Sequence, residues 1–309
     1  MTARLLVICG PTASGKSDLA LSLAARFDAE IVNADSMQLY RGMDIGTAKV
    51  TPEQRREIRH HLIDIADPDE NVSAARYAEE ADRAIAEILS RGKRVIVVGG
   101  TGLYIRALLK GLVDSPSGSG EVRSRLQQEA RERGNQAMLD ELMEVDPESA
   151  GRMHPNNLVR IIRALEVYRI TGIPLSRYQQ EHGFSSPRYQ ALQIGLEVER
   201  SELYRRIEQR VDGMLAAGLV DEVRRLLQAG YSRQDKALRG IGYKEIISFL
   251  DGECTCAEAV ELIKRDTRRY AKRQMTWFRA ENEIIWLEHP EKFDTITHYA
   301  DELWGDKEA

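Results

Sequence analysis

Apolar residues along this chain come in two patterns. Near the N-terminus they form short continuous runs, and elsewhere they recur at helical spacing. Leu5 to Cys9 is such a run, predicting a buried strand, and a glycine-rich stretch follows it. Beyond that, Leu19, Ala20, Leu23, Ala24 and Phe27 fall three and four apart and predict a helix. Glu30 to Ala34 reads as a second strand ending at Asp35. A long helix is predicted from about Ala74 to Leu89. Arg94 to Val98 is a third strand, ending in Gly99-Gly100-Thr101-Gly102. Short strands separated by helices predict an α/β fold, a parallel sheet flanked by helices.

The strand pattern stops at Asp114-Ser115-Pro116-Ser117-Gly118-Ser119-Gly120, which reads as a linker. Helical, arginine-rich sequence runs from there to about Gly172. A loop from Gly183 to Pro187 precedes a possible strand, Ala191 to Leu196. Helices then dominate: Tyr204 to Ala217, Val220 to Ala229 and Ala257 to about Ala280. The expected organisation is a core of residues 1–114, an inserted all-helical domain of residues 115–190, and a return to the core over residues 191–309 with a basic helix near its end. No repeat of solenoid period is present.

Composition narrows the class. The chain has 309 residues, 42% apolar and 30% charged, enough for a sizeable core in a water-soluble enzyme. Its apolar runs are far too short to span a membrane. The first strand begins too early to leave room for a cleavable leader. Cys9, Cys254 and Cys256 cannot build a disulfide framework, and the pair at 254 and 256 lacks the partners of a zinc site. A cytoplasmic protein without membrane association is expected. The net charge of −5 argues against indiscriminate nucleic-acid binding, but a partner responds to the local field and not to the sum.

The chemistry begins in the first loop. Gly10, Pro11, Thr12, Ala13, Ser14, Gly15, Lys16 and Ser17 fit Gly-x-x-x-x-Gly-Lys-Ser/Thr between a strand and a helix. Backbone amides in such a loop approach phosphate oxygens closely, and the helix turns its positive end toward them. Lys16 adds a charge, and the Ser17 hydroxyl suits Mg²⁺. The pattern does not say which phosphate compound binds. A hydrolysing loop of this kind usually has an aspartate at the end of a buried strand to hold the metal. Here the third strand ends in Gly-Gly-Thr-Gly, which leaves Asp35 as the carboxylate near the loop. Strand ends form the ligand crevice in such sheets, so Asp35 suits a base or metal-shell role, with a helix cap as the plain structural alternative.

Further blocks resemble one family in order and wording. They are Asn33-Ala34-Asp35-Ser36-Met37-Gln38, Tyr40 to Lys49, Gly99 to Tyr104, His154-Pro155-Asn156-Asn157 with Arg160 and Arg163, Ile241 to Glu245, Arg269 to Gln274, and Trp277-Phe278-Arg279. With the phosphate loop, they are similar to the tRNA dimethylallyltransferases of the shorter bacterial type, over nearly the whole chain. The resemblance implies a P-loop NTPase-like core. It also implies transfer of a five-carbon allyl group from dimethylallyl diphosphate to the exocyclic amine of an adenosine beside the tRNA anticodon. The loop then serves a prenyl diphosphate with Mg²⁺, and the diphosphate is the leaving group.

By the same resemblance Asp35 is the base, Thr101 contacts donor and adenine, and Arg210 faces the diphosphate, although Arg206 one turn earlier is an alternative. The tRNA contacts it implies are Asp35, Ser36, Met37, Gln38, Thr101, Arg123, Val159, Arg160, Ile161, Ile162, Arg163, Gly240, Ile241, Gly242, Tyr243, Lys244 and Glu245. The partners are the anticodon stem-loop and the donor, and a monomer is expected. Two basic segments agree with a polynucleotide partner. Arginines 152, 160, 163, 169, 177 and 188 sit among few acids. Lys264, Arg265, Arg268, Arg269, Lys272, Arg273 and Arg279 share half of one helix, with Ile263, Tyr270 and Trp277 opposite as core. Tyr243 suits base stacking or, more commonly, hydrogen-bonded packing. His60 and His61 read as surface or capping residues, and Asp64 and Asp67 as turn residues. The competing function is a P-loop small-molecule kinase with Asp35 as its base.

Overall fold

The computed structural model describes residues 3–112, 118–182, 187–288 and 292–305. In chain order the elements are β1 (Arg4–Cys9), α1 (Lys16–Phe27), β2 (Ala29–Asn33), α2 (Pro52–Glu57), β3 (His60–His61), α3 (Ala74–Ser90), β4 (Arg94–Gly99), α4 (Gly102–Lys110), α5 (Gly120–Val145), α6 (Pro147–Ala150), α7 (Leu158–Thr171), α8 (Leu175–His182), β5 (Gln190–Glu197), α9 (Arg200–Ala216), α10 (Leu219–Gln228), α11 (Tyr243–Leu250), α12 (Cys256–Arg279), β6 (Ile284–Glu288) and α13 (Phe293–Trp304). The chain divides into two compact units, residues 1–109 with 188–309, and residues 110–187.

The first unit is built on a six-stranded sheet in the order β3-β2-β4-β1-β5-β6. Every pairing is parallel, with Val7 opposite both Val97 and Gln193. Alternate residues of a strand face opposite sides, so a strand covered on both sides must be apolar throughout. This is why β1 reads as a continuous run. Leu5, Val7 and Cys9 enter the core beneath α3, α4, α10, α11 and α12, while Leu6 and Ile8 enter the core beneath α1 and α13. The apolar stripe of α1, Leu19, Ala20, Leu23, Ala24 and Phe27, is buried as its spacing predicts. All strands point the same way, so the C-terminal ends of β1, β2 and β4 open their loops along one edge of the sheet.

The second unit is helical, with α5 and α7 sharing a core of Leu126, Met138, Leu142, Ile161 and Leu165. Helix α5 breaks at Gly134 (φ 83°). Most of the expected linker at 114–120, and the loop expected at 183–187 except Pro187, lie outside the described residues.

Several elements depart from the sequence expectation. Helix α9 starts four residues earlier than its apolar pattern, because the Glu199 carboxylate accepts the Ser201 and Glu202 amides (2.7 and 3.1 Å) and caps it there. β6 and α13 are additional; β6 is a short edge strand set by its pairing with β5 and not by its own composition. His60 and His61 form the edge strand β3, paired to β2; His60 Nδ1 also lies 2.7 Å from the carbonyl of Ile58, the C-cap residue of α2, in keeping with the capping role expected, whereas His61 turns to Glu30. Asp64 is more than a turn residue, since it accepts from the buried Lys49 Nζ (2.5 Å) and from Arg55 (2.6 Å). Asp67 accepts from Arg41 (2.9 Å). Cys9, Cys254 and Cys256 are free. Among the described residues no helix is long and apolar enough to cross a membrane.

Glu30, on β2, ties this edge together. Its Oε2 lies 2.6 Å from both His61 Nε2 and Arg91 Nη2. Burial alone would raise its proton affinity, but hydrogen bonds from His61 and Arg91 outweigh burial and hold the carboxyl below the usual glutamate range. A depressed carboxyl stabilises the fold above its unfolded pKa of about 4.3, and that contribution is lost as pH falls through the lower folded value. Glu30→Gln should cost about 1–3 kcal/mol at pH 7 in urea unfolding. The gap between the two proteins should close as pH falls below about 4; a gap constant with pH would refute this account.

Candidate active site

Three loops meet at the strand ends. The first leaves β1 and turns into α1. Gly15 takes the left-handed conformation at the helix N-cap (φ 90°), which spares the Cβ strain another residue would carry. It leaves the first amides of α1 without intrahelical partners, pointing along the positive end of the helix. Ser14 is fully buried and its Oγ has no hydrogen-bond partner among the described residues. Lys16 Nζ donates to Pro11 O (2.5 Å), and Ser17 is exposed at the mouth. Burial pushes the Lys16 ammonium down to about 8, against the opposing pull of Asp35. A cation held this way is incompletely compensated and favours an incoming anion. Beneath it, burial raises the Cys9 thiol to about 12, which leaves it unreactive.

The second loop leaves β2. No helix follows Asp35, so it is not a helix cap, but its Oδ1 accepts the Met37 amide (2.9 Å) in a tight turn. Asn33 holds the same turn by accepting the Asp35 amide (3.1 Å). Gln38 Nε2 donates to the carbonyls of Thr47 and Ala48 (3.2 and 3.3 Å). The third loop leaves β4. The Thr101 amide donates to Ala34 O, and Thr101 Oγ1 accepts the Ser36 amide (3.0 Å), which locks it to the second loop.

Two cavities open here. One, of about 60 Å³, is lined by Thr12, Lys16, Ser17, Asp35, Gln38, Gly100, Arg210 and Gln274. The other, of about 390 Å³, is lined by Asp35, Ser36, Met37, Gly240 to Gly242, Lys244, Ile263, Tyr270 and Arg273. Thr12, Asp35 and Arg210 belong to both. Arg210 hydrogen-bonds Thr47 O (3.3 Å), and burial pulls its guanidinium below the normal value against the pull of Asp35. Arg206, its alternative, pairs with Glu202 (2.6 Å) and lines neither cavity. Of the two arginines, only Arg210 stands at the boundary shared by the two cavities.

The other expected tRNA-contacting residues divide. Tyr243 is wholly buried, with its hydroxyl donating to Glu222 Oε1 (2.7 Å), so its ring is not open to a base. Glu245 is also buried and accepts the Gly242 amide (2.8 Å). In the helical unit Ile161 and Ile162 are core, whereas Val159 is 85% exposed. Arg123 and Arg163 both donate to the buried Glu166 (2.7 and 3.1 Å). Arg160 makes no ion pair among the described residues.

The basic segments are less free than their sequence implies. Arg152 pairs with Glu148, Arg169 with Glu129 and Glu141, and Arg177 with Glu181. On α12, Lys264 pairs with Asp212 (2.7 Å) and Arg268 with Glu208 (2.8 Å), both on α9. Tyr270 is not core. It lines the larger cavity, and burial, with the nearby Asp35, raises the proton affinity of its hydroxyl, which stays protonated.

Three groups were not singled out from sequence. Tyr270 was placed in the core. Gln274 bridges the first and third loops. Glu222 is 2% exposed on α10 and accepts the amides of Asp44, Ile45 and Gly46 (2.9, 2.7 and 3.0 Å) as well as the Tyr243 hydroxyl. It fixes the turn whose Thr47 carbonyl holds Arg210. The available signal was a carboxylate inside the apolar stripe Leu219, Val223, Leu226.

A phosphate loop on a parallel sheet, with a carboxylate and a guanidinium shared between its cradle and a neighbouring cavity, defines a P-loop protein built to join a phosphorylated donor to a second molecule. The family model described as IPP transferase matches residues 38–281, and the chain belongs to that family. It is 65% identical over 296 residues to tRNA dimethylallyltransferase 1 of Pelobacter propionicus, covering 96% of each chain. It superposes on the full-length tRNA isopentenylpyrophosphate transferase of Bacillus halodurans with a TM-score of 0.71 at 41% identity, covering 97% of this chain and 96% of that one. A eukaryotic dimethylallyltransferase acting on tRNA gives a TM-score of 0.81 at 30% identity, with 97% of this chain and 78% of that one covered.

Replacing Glu222 by Gln would set an amide NH₂ among four donors. Unfolding in denaturant should show a loss of about 2–4 kcal/mol. A loss below about 0.5 kcal/mol would mean that the turn at 44–46 is held by other contacts.

Proposed function

We propose that this protein transfers the dimethylallyl group of dimethylallyl diphosphate to N6 of the adenosine 3′-adjacent to the anticodon in tRNA, releasing diphosphate. The observation that carries this reading is that Asp35 and Arg210 border both cavities. The diphosphate lies in the cradle of residues 10–17, against Lys16 and Arg210. The adenine leaves its stack and occupies the larger cavity, as base-modifying enzymes require. Its N6 lone pair attacks the allylic carbon, and the carbon–oxygen bond breaks with its electron pair going to the diphosphate. The N6 proton passes to the Asp35 carboxylate. Lys16, Arg210 and the loop amides stabilise the charge that develops on the leaving group. Thr101 lines neither cavity but is fixed between the second and third loops beside Asp35 and Ser36, and the family resemblance makes it the contact to donor and base.

The residues present fit a divalent metal only in the donor's company. Among the described residues no group of three or more His, Cys, Asp or Glu side chains is arranged to hold an ion. The Ser17 hydroxyl at the mouth of the cradle would hold Mg²⁺ together with diphosphate oxygens and water, the usual mode for this ion. When bound, the metal neutralises part of the leaving group's charge.

Phosphates of the anticodon stem-loop meet Arg123, Arg160, Arg163, Lys244, Arg269 and Arg273. The same reading has the protein act as a monomer in the cytoplasm.

Purified protein should incorporate labelled dimethylallyl diphosphate into bulk tRNA with Mg²⁺ and no ATP. Incorporation that requires ATP, or phosphoryl transfer to a small molecule instead, would sink the proposal in favour of a kinase. Asp35→Asn should lower kcat by about 10²–10⁴-fold while tRNA affinity is nearly kept. A parallel loss of binding would point to a structural role for Asp35. Arg269→Ala combined with Arg273→Ala should weaken tRNA binding and reduce its log–log salt slope by about 1–2, with donor affinity unchanged. An unchanged slope would remove this end of α12 from the tRNA face.

A further inference from the structure

Gln274 lies on α12, 5% exposed, and lines the smaller cavity beside Lys16 and Arg210. Both ends of its side-chain amide are engaged. Oε1 accepts the Thr12 amide of the phosphate loop (2.9 Å), and Nε2 donates to Gly100 O on the loop after β4 (2.9 Å). One partner is a backbone donor and the other a backbone acceptor, so the orientation of the amide is fixed by chemistry. Gly100 makes room for it, since a Cβ there would stand 2.2 Å from Nε2.

The position of this amide has a consequence for the ligand. In a loop of this sequence the helix end and its amides hold the first phosphates, and the lysine reaches on to the last. Beyond that point hydrolysing members of the fold keep open space at the end of the neighbouring strand for the terminal phosphate and its metal-holding aspartate. Here the strand ends in Gly99-Gly100, and the Gln274 amide spans the gap between that end and Thr12. A third phosphate would have to displace a buried amide held by two hydrogen bonds. It would also meet the carbonyl oxygen Oε1, whose negative end repels phosphate oxygens, and it would find the Thr12 amide already taken.

We infer that Gln274 sets the length of the phosphate chain the loop accepts, occupying the place of a third phosphate so that a diphosphate fits and a triphosphate does not. The inference rests on the reading of the loop's ligand as a diphosphate. Gln274 is a specificity-determining residue in this scheme, with no part in bond making.

Calorimetric titration of inorganic diphosphate and inorganic tripolyphosphate, at one Mg²⁺ concentration, tests it without reference to turnover. The wild-type protein should prefer diphosphate. Gln274→Ala, which frees the Thr12 amide and empties the space, should tighten tripolyphosphate binding and narrow the preference by about tenfold or more. Gln274→Glu keeps an acceptor for the Thr12 amide but adds a negative charge, and should widen the preference. Equal binding of the two anions by the wild type would overturn the inference. So would a parallel loss of both affinities in Gln274→Ala, the signature of a purely structural residue. If the alanine variant does not fold, the glutamate variant decides alone, and a preference unchanged in it overturns the inference. Failure of the wild type to transfer the prenyl group would sink the functional reading and leave the anion comparison standing.

Discussion

Lys16, Arg210 and Asp35 line one small cavity, in a cleft that partly excludes water. Burial lowers the proton affinity of both cations, and the negative charge of Asp35 opposes that shift in each. Two positive groups set against one negative group leave a local excess that bulk solvent screens poorly. The chain as a whole carries −5, so this excess is a local feature that the net charge does not reveal. A bound diphosphate more than offsets that excess, and Mg²⁺ held with it would bring the site back toward neutrality. Most of what surrounds the cleft serves to keep these three charges close, even though two of them repel.

Parallel strands bring the loops of β1, β2 and β4 to one edge of the sheet, but topology alone does not fix their separation. Side chains do that. Thr101 joins the second loop to the third, Gln274 joins the third to the first, and Glu222 anchors the turn whose Thr47 carbonyl holds Arg210. Each of these ties ends on backbone amides or carbonyls, which are present at every residue. The loops are therefore held by groups that carry no distinctive sequence signature on the receiving side. Buried and satisfied, such links give the rigidity that electrostatic stabilisation of a leaving group requires.

The same distinction explains what the sequence disclosed. Continuous apolar runs and helical spacing revealed β1, β2, β4, α1, α3 and α12, because strands covered on both faces and amphipathic helices leave unmistakable patterns. The phosphate loop was legible because backbone approach to phosphate needs glycine and lysine at fixed spacing. Glu222 and Gln274 were not, since a single polar residue inside an apolar stripe looks like noise until its partners are folded beside it. Tyr270 was misplaced for a related reason. Helical spacing tells which face points inward, but not that the inside holds a cavity at that point. The arginines between 152 and 177 looked like a free basic surface because their acidic partners are distributed along other helices or a turn away.

The absence of a strand-end aspartate after β4 then takes on a positive meaning. A protein that hydrolyses a triphosphate needs a carboxylate there to hold its metal against the terminal phosphates. A protein that expels a diphosphate from carbon needs the carboxylate on the opposite side, where the nucleophile arrives and loses its proton. Asp35 stands at the boundary between the phosphate cradle and the larger cavity, and Gly99-Gly100 stands where the hydrolytic aspartate would be. Moving one carboxylate from one strand end to its neighbour thus changes which bond the cradle is equipped to break. Of these two glycines it is Gly100 that makes room for Gln274, whereas a Cβ at Gly99 would meet the Ala34 backbone, so the strand end that lacks the hydrolytic carboxylate is also the place where the Gln274 amide docks.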